Sequence, residues 1–173
     1  MEEVVFTSEQ KALISELEAY ADATIDSETK QLRELVDIIR QAVDIRMVNG
    51  QIVTDVSLSS NELEALAMRI PAECLYLQSR LNQYSVKNTF RDMQIDAQMT
   101  VSLAKLIGAK GTADERKRRA EQELLTEKVQ NAVNKLIIKG IQVCIDRADK
   151  AYEGIKKVMD YRSKEGWFDR KGV

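Results

Sequence analysis

Apolar residues recur at spacings of three and four along most of this chain, a pattern that indicates amphipathic helices. Near the start, Thr7 opens a capping box with Gln10 and predicts the beginning of a helix. Two apolar stripes follow and predict two helices, although residues 24–27 between them could either break the helix or be carried through it. We expect the second helix to end at Asn49-Gly50. The stripes are Leu13, Ile14, Leu17 and Tyr20, and then Leu32, Leu35, Val36, Ile39, Val43 and Met47.

Residues 51–57 alternate weakly and are rich in β-branched side chains, so they are the one stretch that predicts a strand, alone or as the arm of a hairpin. Ser59 then opens a second capping box with Glu62 and predicts another helix. Pro71 ends that helix, kinks it or occupies the first turn of the next one. We place a boundary there, between an acidic N-terminal helical segment (1–70) and a long helical hairpin with a C-terminal tail (71–173).

The hairpin is predicted from two long periodic runs separated by a glycine turn. Residues 72–107 contain no helix breaker, and Gly108 and Gly111 punctuate their end. Thr112 forms a third capping box with Glu115, and the helix that it opens is expected to run to about Arg162. The first helix is expected to pack through Val86, Phe90, Met93, Ala97, Val101, Ala104 and Ile107. In the second, the packing face moves from Leu125, Val129, Val133 and Leu136 to Ile137, Ile141, Cys144, Ala148, Tyr152, Ile155 and Met159.

These patterns predict an all-α fold, a long antiparallel, coiled-coil-like helical hairpin with additional N-terminal amphipathic helices. A helix of about 50 residues would be about 75 Å long and would not bury its apolar stripe in a compact monomer. We therefore expect a homo-oligomer. Gly140 and Gly154 either mark close helix crossings or are simply tolerated. The expected oligomer interface consists of Ile138, Ile141, Val143, Ile145, Ile155 and Val158.

Composition supports the helical interpretation. The chain of 173 residues is 44% hydrophobic, with one Pro and seven Gly, an inventory that favours helices over a turn-rich sandwich or barrel. Cys74 and Cys144 are far apart in sequence and are expected to be ordinary buried thiols. Neither a secretory leader nor an apolar run of the roughly 20 residues needed to span a bilayer is present, so we expect a cytoplasmic protein without a membrane partner.

The sequence offers little catalytic chemistry. It contains no histidine, which removes the usual general base near neutral pH and the commonest metal ligand. Asp92 with Asp96, and Glu123 with Glu127, form carboxylate pairs at helical spacing, but solvated surface is the better interpretation of both. We therefore expect no enzyme, no metal, no cofactor and no small-molecule substrate.

Charge is distributed unevenly along the chain. Residues 1–70 carry 6 Lys/Arg and 14 Asp/Glu, whereas residues 71–173 carry 20 and 14. Six basic residues flank the hairpin turn against only Asp114 and Glu115, a pattern that fits phosphate binding. Alternatively, this is a solvated helix start in which Lys117 and Arg119 pair with Glu121 and Glu123. The six candidate nucleic-acid-binding residues are Lys105, Lys110, Arg116, Lys117, Arg118 and Arg119.

Two stretches carry a resemblance to a known family. Residues 94–106 read QIDAQMTVSLAKL, and residues 155–165, at the end of the last helix, read IKKVMDYRSKE. With the polar glycine turn between them, they resemble the recombination mediator family of T4-like phages, called UvsY, over residues 72–168. The resemblance implies a ring-like homo-oligomer of helical subunits. It also implies loading of a recombinase onto single-stranded DNA displaced from a single-strand-binding protein, with Lys105 and the turn region as DNA contacts.

The hypothesis from sequence is a homo-oligomeric, single-stranded DNA-binding recombination accessory protein. A recombinase or a single-strand-binding protein would be its protein partner. The alternative is a non-enzymatic structural or adaptor protein, such as a phage assembly factor, that uses its long helices for association and has an incidental basic turn.

Overall fold

The computed structural model describes residues 7–48 and 51–171. The two longest helices, Ser60–Lys105 and Leu125–Lys171, pack closely against each other as an antiparallel hairpin, which confirms the predicted fold class. A two-stranded β-hairpin is the one addition to the helices within these ranges. In chain order the elements are α1 (Ser8–Ala42), β1 (Val43–Val48), β2 (Gln51–Val56), α2 (Ser60–Lys105), α3 (Ala113–Glu123) and α4 (Leu125–Lys171).

Helix α1 is one helix of 35 residues where the sequence predicted two. Residues 24–27 do not break it, and the Thr24 hydroxyl donates to the Tyr20 carbonyl oxygen of the preceding turn at 2.8 Å. The predicted start is confirmed, since α1 begins directly after Thr7. In this helix Leu32, Leu35 and Ile39 are buried, as expected, but Tyr20 is exposed.

The second predicted stripe extends too far, because α1 ends at Ala42. Val43 and Met47 lie in β1, which pairs antiparallel with β2 and places Val43 opposite Val56. The predicted strand over residues 51–57 is therefore confirmed, whereas helical structure at Val43 and Met47 is wrong. Formation of the ladder with β2 explains this difference, since pairing satisfies the backbone groups that a helix would otherwise satisfy. The expected stop at Asn49-Gly50 lies outside the described residues.

Helix α2 opens at the second predicted capping box. The Ser59 backbone N–H donates to Glu62 Oε2 at 2.8 Å, and the Glu62 N–H donates to Ser59 Oγ at 3.3 Å. These hydrogen bonds from Ser59 lower the pKa of the Glu62 carboxyl below its usual range. The helix then continues through Pro71. The boundary expected at Pro71 therefore falls inside a continuous helix, and whether the two segments fold separately stays a prediction.

The last predicted helix is divided in two. Helix α3 ends at Glu123, and α4 starts at Leu125. Between them, Leu124 caps α3 and donates its backbone N–H to the Gln122 carbonyl oxygen. Leu124 itself is buried, so the break occurs at a packed apolar residue and involves no glycine or proline.

The chain forms two compact units, each of which contains part of α1, α2 and α4. Unit 1 consists of Met1–Asp26 and Leu81–Gly140, and unit 2 consists of Ser27–Arg80 and Ile141–Val173. The described apolar core of unit 1 is Ala21, Leu81, Ile95, Ala120, Leu124, Val133 and Ile137. That of unit 2 is Leu32, Leu35, Ile39, Ala42, Leu63, Leu66, Ile70, Cys74, Leu77, Ile141, Cys144, Ile145, Ala148 and Ile155.

Two polar contacts position elements within unit 2. The Arg80 guanidinium donates to the Glu28 carboxylate and joins α2 to α1. The Arg162 guanidinium donates to the Val56 and Leu58 carbonyl oxygens, at 2.9 and 2.8 Å, and joins α4 to the exit of the β-hairpin. The periodicity of the sequence indicates neither contact, because each arginine pairs with a group more than 50 residues away in the chain.

Candidate nucleic-acid interface

The turn between α2 and α3 depends on two glycines. The end of α2 tightens, as the Leu106 backbone N–H donates to the Leu103 carbonyl at 3.1 Å. Gly108 then has φ +88° and Gly111 has φ +125°, both in the left-handed region that favours glycine. At Gly111 a Cβ would also lie 2.5 Å from Glu115 Oε2. The predicted role of both glycines in turn geometry is confirmed.

The capping box predicted after the turn is present and fixes the first turn of α3. The Thr112 backbone N–H donates to Glu115 Oε2 at 2.8 Å, and the Glu115 N–H donates to Thr112 Oγ1 at 3.3 Å. Two backbone donors are thereby satisfied within the helix terminus. The basic residues that follow therefore start from a defined helix end.

The structure brings the six predicted basic residues to one end of unit 1, and we call this group the basic tip. Arg116 is half-buried and the other five, Lys105, Lys110, Lys117, Arg118 and Arg119, are exposed. Fully buried Ala120 marks the inward face of α3. At about 100° per residue, Arg118 lies roughly opposite Ala120, and Lys117 and Arg119 lie on the two sides.

Lys105 differs from the rest of the basic tip in its surroundings. It lines an open groove of about 380 Å³ together with Glu123 and Leu124. Ala97, Gln98, Val101 and Ser102 complete the lining. A carboxylate on the same groove weakens the attraction of Lys105 for a phosphate. The other five residues of the basic tip are therefore the better candidates for phosphate contacts.

The alternative interpretation of these charges requires ion pairs along α3. Glu121 contacts Lys128 of α4, with 3.7 Å between Oε1 and Nζ. Among the described residues, neither Lys117 nor Arg119 takes part in an ion pair within 4 Å. Their charges are therefore available to an external anion.

The predicted oligomer interface is divided by the structure. Ile141, Ile145 and Ile155 are buried in the core of unit 2, so the chain itself already covers them. Ile138 and Val158 are half-buried, and Val143 is exposed. This division follows from the drift of the packing face around the last helix. Because the face drifts, some of the predicted interface positions pack within the chain while others remain partly exposed.

The predicted packing face of α2 is wrong within unit 1. Val86, Phe90, Met93 and Val101 are exposed, as is Ile107 beyond the helix end. The residues that α2 buries there are Leu81, Asn88, Ile95 and Ser102, one in every seven. That seven-residue spacing was visible in the sequence, but two of its four positions are polar, so hydropathy did not mark it.

A polar layer joins α2 to α4 inside unit 1, and we define it as Asn88, Asp92, Asn131 and Lys135. Asp92 accepts hydrogen bonds from all three of the others, including Lys135 Nζ at 3.1 Å. These contacts, above all with Lys135 and Asn131, lower the pKa of the Asp92 carboxyl. The side-chain oxygens of Asn88 and Asn131 are buried without a hydrogen-bond partner. Such a layer favours one register of the two helices but contributes less stability than apolar packing.

Metal ligation and thiol reactivity find little support among the described residues. No group of three or more Cys, Asp or Glu residues among them is arranged to hold a metal ion. Burial and the neighbouring Asp149 raise the pKa of the Cys74 thiol to about 11, so it stays protonated and unreactive near neutral pH. In the ranges 7–48 and 51–171, no helix carries an apolar run sufficient to cross a bilayer.

Comparison of the chain with protein-family models, with curated proteins and with solved structures finds no match. The basic tip, the polar layer and the exposed apolar residues of α2 are therefore interpreted from their own chemistry.

Proposed function

We propose that the protein binds single-stranded DNA through the basic tip and acts, as a homo-oligomer, as a recombination accessory factor of the mediator type. The observation that carries the proposal is a local excess of four positive charges over residues 105–119, around the turn that leads into the capped helix α3. Lys117 and Arg119 are exposed and lack an internal ion pair among the described residues. Phosphate contacts by such groups release counterions and supply most of the affinity for nucleic acid.

The arrangement favours binding without sequence preference. Aromatic residues make up 5% of the chain, and none belongs to the basic tip, so base stacking contributes little. Contacts to phosphates carry no base information. This behaviour suits a factor that must act on any exposed single strand. The resemblance of residues 72–168 to the UvsY family is the reason to place it beside a recombinase or a single-strand-binding protein.

A titration of single-stranded DNA at several salt concentrations tests DNA binding. For the unmodified protein we expect the logarithm of the association constant to fall linearly with the logarithm of salt concentration, with a slope of about −0.7 for each phosphate contacted. Replacing Arg116, Lys117, Arg118 and Arg119 together by alanine should flatten that slope by roughly two to three units. Circular dichroism should stay unchanged, since the four side chains are not part of the apolar core.

A matched control removes the same charge elsewhere. Lys30, Lys139, Lys150 and Lys157 are exposed and lie away from the basic tip in the sequence, so their joint replacement by alanine should leave the slope nearly unchanged. Equal loss of binding in the two quadruple variants would assign the affinity to net charge alone. Absence of binding by the unmodified protein at low salt would refute the proposal.

An adaptor protein is the second candidate, and a separate observation favours it. Helix α2 exposes Phe90 and Met93 with other apolar side chains in a row, and such surfaces mark contacts with other proteins. If the DNA titration fails while the protein still associates through this row, the adaptor function takes precedence.

A further inference from the structure

The exposed apolar side chains of α2 in unit 1 form one row, which we call the apolar stripe: Val86, Phe90, Met93, Ala97 and Val101. Their spacings of 4, 3, 4 and 4 residues keep them on one side of the helix over about 22 Å. The four large members are between 53% and 67% exposed. The stripe contains no charged residue.

In unit 1, helix α2 therefore directs polar side chains inward and its apolar stripe outward, the opposite of an ordinary surface helix. Its inward positions include Asn88 and Ser102, and Asp92 contacts α4 from the same side. Its apolar stripe faces outward instead. An amphipathic helix normally directs its apolar side into a core, so the exposed stripe indicates a surface that another chain covers.

We propose that the apolar stripe is the face through which two copies of this protein associate, helix α2 against helix α2. Pairing of identical stripes in a two-fold arrangement buries the same residues on both copies. Because the stripe is uncharged, no like charges are brought together within the row itself. The inference deepens the homo-oligomeric part of the proposed function and places the interface on α2 instead of α4.

The area of the stripe supports a second copy as its occupant. We take about 170 Å² for the Phe90 side chain and about 120 Å² for each of the other three, as their burial energies imply. The exposed fractions then leave about 320 Å² of apolar surface on one copy and about 640 Å² on two. At an apolar share of about 60%, this corresponds to an interface of about 1,100 Å², above the minimum of about 1,000 Å² for a specific interface. Flanking polar residues such as Lys87 and Asp96 would form its rim.

Measurement of mass in solution tests this interface on the full chain. At tens of micromolar protein, sedimentation should give a mass above one chain, and Phe90→Glu should reduce it to one chain, with a dissociation constant raised at least a hundredfold. The control is Leu75→Glu, because Leu75 lies on the same helix in unit 2 and is 73% exposed. Its mass should equal that of the unmodified protein. Both positions are solvent-exposed, so circular dichroism should show that both variants remain folded.

Three results would overturn the proposal: an unmodified protein that stays monomeric, a Phe90→Glu variant of unchanged mass, or dissociation by Leu75→Glu to the same extent. The salt dependence of binding to short single strands, measured on the same samples, separates this proposal from DNA binding. A monomeric Phe90→Glu variant that keeps the salt slope supports both surfaces. If the protein is oligomeric but binds no DNA, the proposed interface stands and only the proposed DNA binding by the basic tip is refuted.

Discussion

The two units use similar lengths of chain but differ in what they bury. Among the described residues, unit 2 buries fourteen apolar side chains and one polar side chain, Thr29. Unit 1 buries seven apolar side chains and three polar ones, Asn88, Ser102 and Asn131. Burial of apolar surface is the main favourable contribution to folding, so unit 2 should supply more of the stability of the chain.

The surfaces proposed for binding all lie in the unit that buries less apolar surface. Unit 1 carries the basic tip, the polar layer and the apolar stripe, whereas unit 2 carries the dense core and the β-hairpin. Regions that bind partners are commonly drawn from the less stable parts of a protein. We infer that unit 1 is the interacting half of the molecule and that unit 2 is its stable support.

The largest effect is expected from a charge placed in the core of unit 2. Ile141 is completely buried, so Ile141→Lys must bury an unpaired ammonium group or open the helices around it. The free energy of unfolding should fall by about 4 kcal/mol or more. Leu136→Lys is the control on the same helix in unit 1, where Leu136 is half exposed, and it should change that free energy by less than about 1 kcal/mol. Denaturant titration measures both, and equal effects would contradict the burial of Ile141 in the core of unit 2.

Alanine substitutions at two glycines of α4 should change the free energy of unfolding by smaller amounts, in opposite directions. A Cβ at Gly140 would lie 2.9 Å from Ile25 Cγ1 and would also clash with Ile25 Cδ1, so Gly140 marks a close crossing with α1 in unit 1. Gly140→Ala should destabilise by about 1–3 kcal/mol. A Cβ at Gly154, in unit 2, meets nothing within 4 Å. Gly154→Ala should stabilise by up to about 1 kcal/mol through helix propensity. Thermal unfolding of the two variants compares them directly. If both substitutions stabilise the protein, the close crossing at Gly140 is contradicted.

The smallest effect concerns the polar layer and pH. Because the pKa of Asp92 is lowered in the folded state, its contribution to stability is present above the unfolded value of about 3.9. It is lost as pH falls through the lower folded value. The unfolding midpoint in urea should therefore fall on acidification from pH 7 to pH 3. The midpoint of the Asp92→Asn variant should fall less over the same range. Asp96→Asn, at an exposed position one turn further along α2, is the control and should behave like the unmodified protein.

Sequence patterns predicted the parts of this fold that are locally determined. The Ser59 and Thr112 capping boxes and the Gly108–Gly111 turn were all identified, because each depends on residues within a few positions of one another. The core face of α4 was also predicted, since Ile137, Ile141, Cys144, Ala148 and Ile155 are apolar and periodic. The exposed basic tip followed from charge alone.

Features that depend on distant partners were not predicted. The helical period of Val43 and Met47 did not reveal that β2 would pair with them. The break at Leu124 coincides with burial of that side chain, and the sequence contains no glycine or proline there that would have signalled it. The orientation of α2 was wrong because periodicity identifies an apolar face but does not say whether the same chain or another chain covers it. The polar layer was hidden because its side chains match no hydrophobic pattern.

Hydrogen exchange with and without single-stranded DNA tests the contrast between the units most directly. In the free protein, backbone amides in α2 residues 60–80 and α4 residues 141–155 should exchange more slowly than those of residues 86–119. Addition of an oligothymidylate should slow exchange around residues 105–119, higher protein concentration should slow it over residues 86–101, and unit 2 should be unaffected by either. Two results would contradict the account. One is that added DNA or higher protein concentration slows exchange in unit 2 alone, and the other is that unit 2 exchanges faster than unit 1 in the free protein.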